Sequence, residues 1–338
     1  MPAGLPRPSE GPGSRYTART ATSRPRPSPA HRGHRTIAAL SHRLTPRDIW
    51  LAWMLFEHRV LTTRHIQRLA FSSLRRAQRR LRQLHDAELV DSFRPLILRG
   101  SAPEHYTLGS AGADLLAAQA GCERKDVGWR PTHVSRIAYS PSLGHDVGVN
   151  DFVTRLAAGS SSSRPTGQAT LWLSERSCAR RWGDIIRPDA YVHWQDDSPA
   201  YPFPFFFEFD TGSQPLARVE AKLAGYHAFA STTATRPAVL MHTRTASREQ
   251  ALRHRLGNSA RHLNLPIATT TADLTTNPSG PWWLPIHPPS RRLTLTELAA
   301  HWPHLSPAFG LDPTDADTPL TLPVPPQPPV AEPPDHHG

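Results

Sequence analysis

The stretch FFFEFDTGSQPLARVEAKLAGYHAF, residues 205–229, decides how the rest of the chain is read. A run of phenylalanines takes in Glu208 and Asp210, turns at Gly212, and leads into a segment with helical spacing that carries Lys222. Lys125 is the only other lysine in the chain. Side chains alternate along a strand, so Glu208 and Asp210 share one face, about 7 Å apart, while Phe207 and Phe209 take the other. A strand this apolar belongs to a core. Two acids at its end therefore either face solvent or serve a site.

Upstream, residues 142–159 (SLGHDVGVNDFVTRLAAG) read as a helix with Val147, Phe152 and Leu156 among its apolar positions. ATLWLSE (169–175) and IIRPDAYVHW (185–194) read as strands, and Asp189 follows Pro188 near the start of the second. PFPFFFEFD (202–210) is the third strand, a helix spans about 215–230, and RPAVLMHT (236–243) is a fourth, buried strand. The order α-β-β-β-α-β suits a mixed sheet flanked by helices. A further helix over 247–258, a strand and a Trp-bearing segment, with Trp282 and Trp283, are expected to follow and close the sheet.

The region before this sheet reads differently. LTPRDIW (44–50) opens a helix with Thr45 as cap, Pro46 at the first helical position and Asp48 as the returning acid of a capping box. A short helix over about 63–70 follows, then a third in which Leu74, Ala77, Leu81 and Leu84 recur at helical spacing. Arg75, Gln78, Arg79 and Arg82 lie on its opposite face, with Arg76 and Arg80 beside them. No acid stands between Glu57 and Asp86, whereas a salt-bridged surface helix would alternate signs. Two strand-like pieces around a Gly/Ser/Pro turn and a helix ended by Gly121 complete this unit.

Composition bounds the function classes. The 338 residues have room for about two domains. A net charge of +11 favours a polyanionic partner such as nucleic acid. The 36 prolines concentrate at the ends. Residues 1–43 hold eight arginines against one acid, Glu10, and residues 312–338 are Pro-rich; both are expected to be disordered tails. The two cysteines, Cys122 and Cys178, form no CxxC pair, so neither a disulfide framework nor a zinc ribbon is expected. The chain has no apolar run long enough for a membrane helix, no secretory h-region, no P-loop and no GxSxG elbow, so a cytoplasmic protein without membrane contact is expected. His145, His227 and His242 could approach a site at the strand ends, but lone histidines are mostly structural, and a zinc site is not expected.

Three resemblances follow from these residues. Three helices plus a hairpin over 44–121, with DAELVDSF (86–93) and YTLGSAGADLL (106–116), resemble a winged helix-turn-helix of bacterial regulators. This implies that the third helix enters the major groove of double-stranded DNA, with Arg75, Arg76, Arg79, Arg80 and Arg82 as its contacts. The alternative is a winged helix used for protein contacts, its arginines a solvated face. The strand order over 131–300, with an acid after Pro188 and another on the third strand, resembles the PD-(D/E)XK nuclease-like fold. That likeness implies Asp189 and Glu208 as ligands of Mg²⁺ or Mn²⁺ and a catalytic set of Asp189, Glu208, Asp210 and Lys222. Asp210 occupies the position of the signature lysine, and Lys222 on the next helix stands in for it, as in members whose lysine has migrated. An inactive, scaffold-like version of the same fold is the other reading.

Over about 44–298, the winged unit followed by HDVGVNDF (145–152), SER (174–176), RPDAYV (187–192) and the 206–226 run resembles the replication-relaxation family of actinobacterial plasmids and mobile elements. The family implies DNA binding in replication or transfer, with other replication or transfer proteins as partners.

Overall fold

The computed structural model describes residues 43–96, 100–158, 167–196, 202–273 and 275–329. The expected N-terminal tail, apart from Arg43, and residues 330–338 of the expected C-terminal tail lie outside them. Helix α1 (Pro46–His58) starts on the capping box legible in its sequence: Thr45 accepts from the Asp48 amide, and Asp48 accepts from the Thr45 amide at 2.7 Å. Strand β1 (Leu61–Thr62) leads into α2 (Thr63–Ala70) and α3 (Leu74–Asp86). Ala77, Leu81 and Leu84 of α3 face the core. Strands β2 (Val90–Phe93) and β3 (His105–Leu108) complete a three-stranded antiparallel sheet of order β1-β3-β2, and α4 (Ser110–Ala120) follows.

After short helices α5 (Arg124–Val127) and α6 (His133–Ala138), α7 (Leu143–Ala157) begins the second layer. Its sheet contains β4 (Gln168–Ser174), β5 (Ala190–Gln195), β6 (Phe203–Asp210), β7 (Ala238–Thr243), β8 (Ile267–Thr270) and β9 (Leu284–Pro285), in that spatial order. The pairs β4–β5, β5–β6 and β8–β9 are antiparallel; β6–β7 and β7–β8 are parallel. Helices α8 (Glu175–Trp182), α9 (Leu216–Thr233) and α10 (Ala246–His262) intervene between strands, and α11 (Leu295–His301) follows them. The order α-β-β-β-α-β is present, with α8 as an insertion not expected from sequence.

The phenylalanine run is explained by β6 lying inside this sheet with both faces covered. Phe207 stacks on Phe152 of α7 at 3.9 Å between centroids, whereas Phe206 meets Tyr226 and Phe229 of α9 on the other face. Trp283 is buried against Phe152, as expected of a packing residue.

One finding goes beyond the sequence reading and one corrects it. First, the N-terminal unit and the sheet share one continuous apolar core, in which Trp50, Leu55 and Leu116 join Phe152, Trp172 and Phe207. The imidazole of His58 stacks on the Trp172 indole at 3.4 Å. Second, the Pro-rich segment from Asp312 to Pro329 is no free tail. It forms two short 3₁₀ turns, buries Leu320 and Val324, and accepts hydrogen bonds through its carbonyls. Trp50 Nε1 donates to Pro325 O at 2.7 Å, and Arg180 and Arg181 donate to Leu320 O and Thr321 O. Proline lacks a donor but keeps its carbonyl, and its fixed φ lowers the entropy lost on ordering, so side-chain donors can dock such a segment cheaply.

Candidate functional site

The site forms where β4, β5 and β6 end beside α7 and α9. Register places it there: Ser174 pairs with Ala190, and Ala190 with Phe207. The next residues across the three strand ends are therefore Glu175, Asp189 and Glu208.

Glu208 points to the α9 face and is buried. Lys222 Nζ donates to its Oε2 at 2.5 Å, and the Tyr226 hydroxyl donates to Oε1. Lys222 and Tyr226 lie one turn apart on α9, which is why one carboxylate reaches both. Burial and the charge of Asp189 push the Glu208 carboxyl up to about 7, against the opposing pull of Lys222 and Tyr226. Lys222 is itself held above the usual ammonium range: burial opposes its charge, but Glu208 and Asp189 outweigh it.

Asp189 sits just before β5. Its Oδ2 accepts from the Phe209 amide at 2.7 Å and lies 3.0 Å from His145 Nε2. Burial disfavours its charge, but the His145 hydrogen bond and charge prevail and lower its pKa. His145 is raised to about 10: burial works against its charge, and Asp146 and Asp189 overcome this. Asp146 in turn pairs with Arg59 at 3.1 Å. Gly148 allows this helix to approach, because a Cβ there would lie 2.4 Å from the Phe209 ring.

Of the four residues expected to be catalytic, Asp189, Glu208 and Lys222 are brought together. Asp210 is drawn elsewhere: Arg248 Nε of α10 donates to it at 2.7 Å and the Gly212 amide at 2.8 Å. Among the three histidines, His145 joins the site, while His227 and His242 bond the carbonyls of Leu263 and Ala272. Sequence reasoning kept Tyr226 only as a neighbour of Lys222 and did not single out Glu175 or Asp146. The one available signal was HDVGVNDF itself, where an acid follows a histidine on a helix aimed at the strand ends.

The arginines of α3 divide. Arg75, Arg76, Arg79 and Arg82 are exposed, and among the described residues none pairs with an acid. Arg76 Nη1 donates to Ser72 Oγ at 3.3 Å. Arg80 instead bonds buried Asp48, with Nε at 3.0 Å, and also the Arg43 carbonyl. It ties α3 to α1.

Among the described residues, no group of three or more His, Cys, Asp or Glu side chains stands in the arrangement of a metal cage, and no helix is long and apolar enough to cross a membrane. A family model described as replication-relaxation matches residues 51–245. No curated protein and no solved structure matches the chain.

Proposed function

Because the chain belongs to the replication-relaxation family, we propose that it is a DNA-binding protein of plasmid or mobile-element replication and transfer. In this reading residues 44–121 are a winged helix-turn-helix, with α3 lying on double-stranded DNA. The observation that carries it is the exposed, acid-free arginine face of Arg75, Arg76, Arg79 and Arg82. Arginine can pair bidentately with guanine or hold phosphates. Arg80, spent on Asp48, keeps the helix in place rather than touching DNA.

The test is salt dependence. Each arginine that no longer neutralises a phosphate makes the slope of log K against log salt shallower by about 0.9. The triple variant Arg75→Ala, Arg79→Ala, Arg82→Ala is expected to bind duplex DNA more weakly and with a shallower slope. Unchanged affinity and slope would sink this reading.

The second part of the proposal is a PD-(D/E)XK-like site over 131–300. Its support is the α-β-β-β-α-β order with Asp189, Glu208 and Lys222 at one end of the sheet. The donors fit Mg²⁺ or Mn²⁺, which take hard oxygens from one or two carboxylates and keep waters. Asp189 Oδ1 has no protein hydrogen bond among the described residues, and a nearby cation would relieve the crowding of negative charge that raises Glu208. Asp189 and Glu208 would hold the ion, which supplies Lewis-acid stabilisation and an activated water when bound. Lys222 would place a compact positive charge against the phosphate. His145 orients Asp189, and Tyr226 orients Glu208.

The engagement of both Glu208 oxygens by Lys222 and Tyr226 favours a second reading, an accessory protein whose nuclease-like unit is inert. A Mn²⁺-dependent cleavage assay on supercoiled, linear and single-stranded DNA separates the two. Lys222→Met is expected to abolish cleavage with DNA affinity nearly intact. Absence of cleavage by the wild type leaves the accessory role.

A further inference from the structure

Glu175 is the first residue of α8, directly after β4. Its neighbours are all committed to the N-terminal unit. The Ser174 amide and hydroxyl donate to Glu57 Oε1 at 2.9 and 2.8 Å, and the Ser177 hydroxyl donates to Glu57 Oε2 at 2.7 Å. Arg176 donates to Phe56 O at 2.7 Å, with its guanidinium 4.4 Å from the centre of the Phe56 ring. The backbone through Glu175 is thus held on both sides by contacts to α1. The residue as a whole is open to solvent while its carboxyl group is partly buried, and among the described residues that carboxylate makes no hydrogen bond or ion pair.

What surrounds it is the site. The ladders end at Ser174 opposite Ala190 and Ala190 opposite Phe207, so Glu175, Asp189 and Glu208 are each the next residue beyond those pairs at the same end of the sheet. Partial burial first, and then the charge of Asp189, raise its pKa; Asp146 adds to this, while His145 and Arg59 pull the other way. It also lies within electrostatic range of Lys222. Asp210 has the opposite surroundings, with a guanidinium and a backbone amide already on its oxygens.

We infer that Glu175, and not Asp210, is the third acid of this site, a positioning residue whose carboxylate accepts hydrogen bonds from the water shell of a divalent cation held by Asp189 and Glu208. The inference rests on the cation reading given above. An acid at the first position of a helix is also stabilised by the helix dipole, so the test must separate cation affinity from helix stability.

The experiment is calorimetric titration of Mn²⁺ into the full chain at fixed pH, with no DNA present. Wild type, Glu175→Gln, Glu175→Asp and Asp210→Asn are compared, and each variant is melted without metal to check its fold. Loss of an outer-shell partner typically weakens metal affinity about 10–100-fold. Glu175→Gln is expected to fall in that range, Glu175→Asp to recover most of the loss, and Asp210→Asn to stay within about twofold of wild type. Equal Mn²⁺ affinity in wild type and Glu175→Gln would overturn the inference and leave the Asp189–Glu208 reading standing. A loss confined to Asp210→Asn would also overturn it. Absence of Mn²⁺ binding by the wild type would overturn both.

Discussion

Helix α7 carries charged clusters in its middle and in its first turn, and the two are built to opposite rules. In the middle, Asn150 donates to the carbonyls of His58 and Val60, and Asp151 accepts from Arg68 at 3.1 Å while facing His65 and Arg155. Three basic side chains surround one acid, and its pKa is driven far down despite burial. In the first turn the balance reverses. Asp189 and Glu208 face His145 and Lys222, with the charge of Glu175 close enough to act on Lys222, while Asp146 is paired with Arg59. Two carboxyls there are pushed up rather than down. A cluster that joins two units satisfies its acid within the fold; a cluster with spare acid is suited to a ligand that brings positive charge.

The largest expected effect tests the joining cluster. Asp151→Ala leaves His65, Arg68 and Arg155 without their shared acid, and leaving such part-buried groups without their partner costs about 3 kcal/mol. Urea unfolding is expected to show that loss. A change below about 1 kcal/mol would mean that α7 does not bind the two units together electrostatically.

The strand-end cluster is expected to respond to metal instead. Mn²⁺ at a hundred times its dissociation constant stabilises a folded protein by about 2.7 kcal/mol. The wild type should melt at higher temperature with Mn²⁺, and Glu208→Gln should not. An equal shift in both would place the ion elsewhere.

A third test uses pH at the joint. Burial pushes His58 down to about 4, with Glu57 opposing this and Arg176 adding to it. Its folded pKa lies below the unfolded value near 6.5, so the unfolded chain takes up the proton first as pH falls. Stability is therefore full above about pH 6.5 and declines toward pH 4. At pH 5 the loss from His58 alone is about 2 kcal/mol. His58→Phe keeps a ring against Trp172 and should flatten the pH dependence of the urea midpoint. The same slope in both proteins would remove His58 from the account, leaving His105, His133 and His193, which are also lowered to about 4.

The smallest expected effect is on the exposed α3 face. Arg79→Ala should change stability by no more than about 0.5 kcal/mol, since nothing buried depends on it. Arg80→Ala should cost more, because Asp48 is almost fully buried. Equal melting of the two variants would contradict the division of that helix into a free and a structural side.

Much of this was legible because it depends on neighbours in sequence. The Thr45–Asp48 capping box starts α1 through residues three apart. The alternation of Phe207, Glu208 and Phe209 fixed which face of β6 meets α9, and spacing along α9 put Lys222 and Tyr226 on one carboxylate. What only the tertiary structure decided involves partners far apart in the chain. Asp210 shares a face with Glu208 by alternation, yet Arg248, at the start of the helix that follows β7, takes its carboxylate because β7 pairs with β6 as far as Asp210 and Thr243. Arg80 looks like its neighbours until Asp48 arrives from α1. His145 gains its role only when Gly148 lets α7 press against Phe209, and Glu175 only when strand register sets it beside Asp189. Residues 312–329 carry a composition typical of disorder, and they become ordered because Trp50, Arg180 and Arg181 present donors to their carbonyls. Sequence spacing determines which way a side chain points from its own element; only packing determines which charge meets it there.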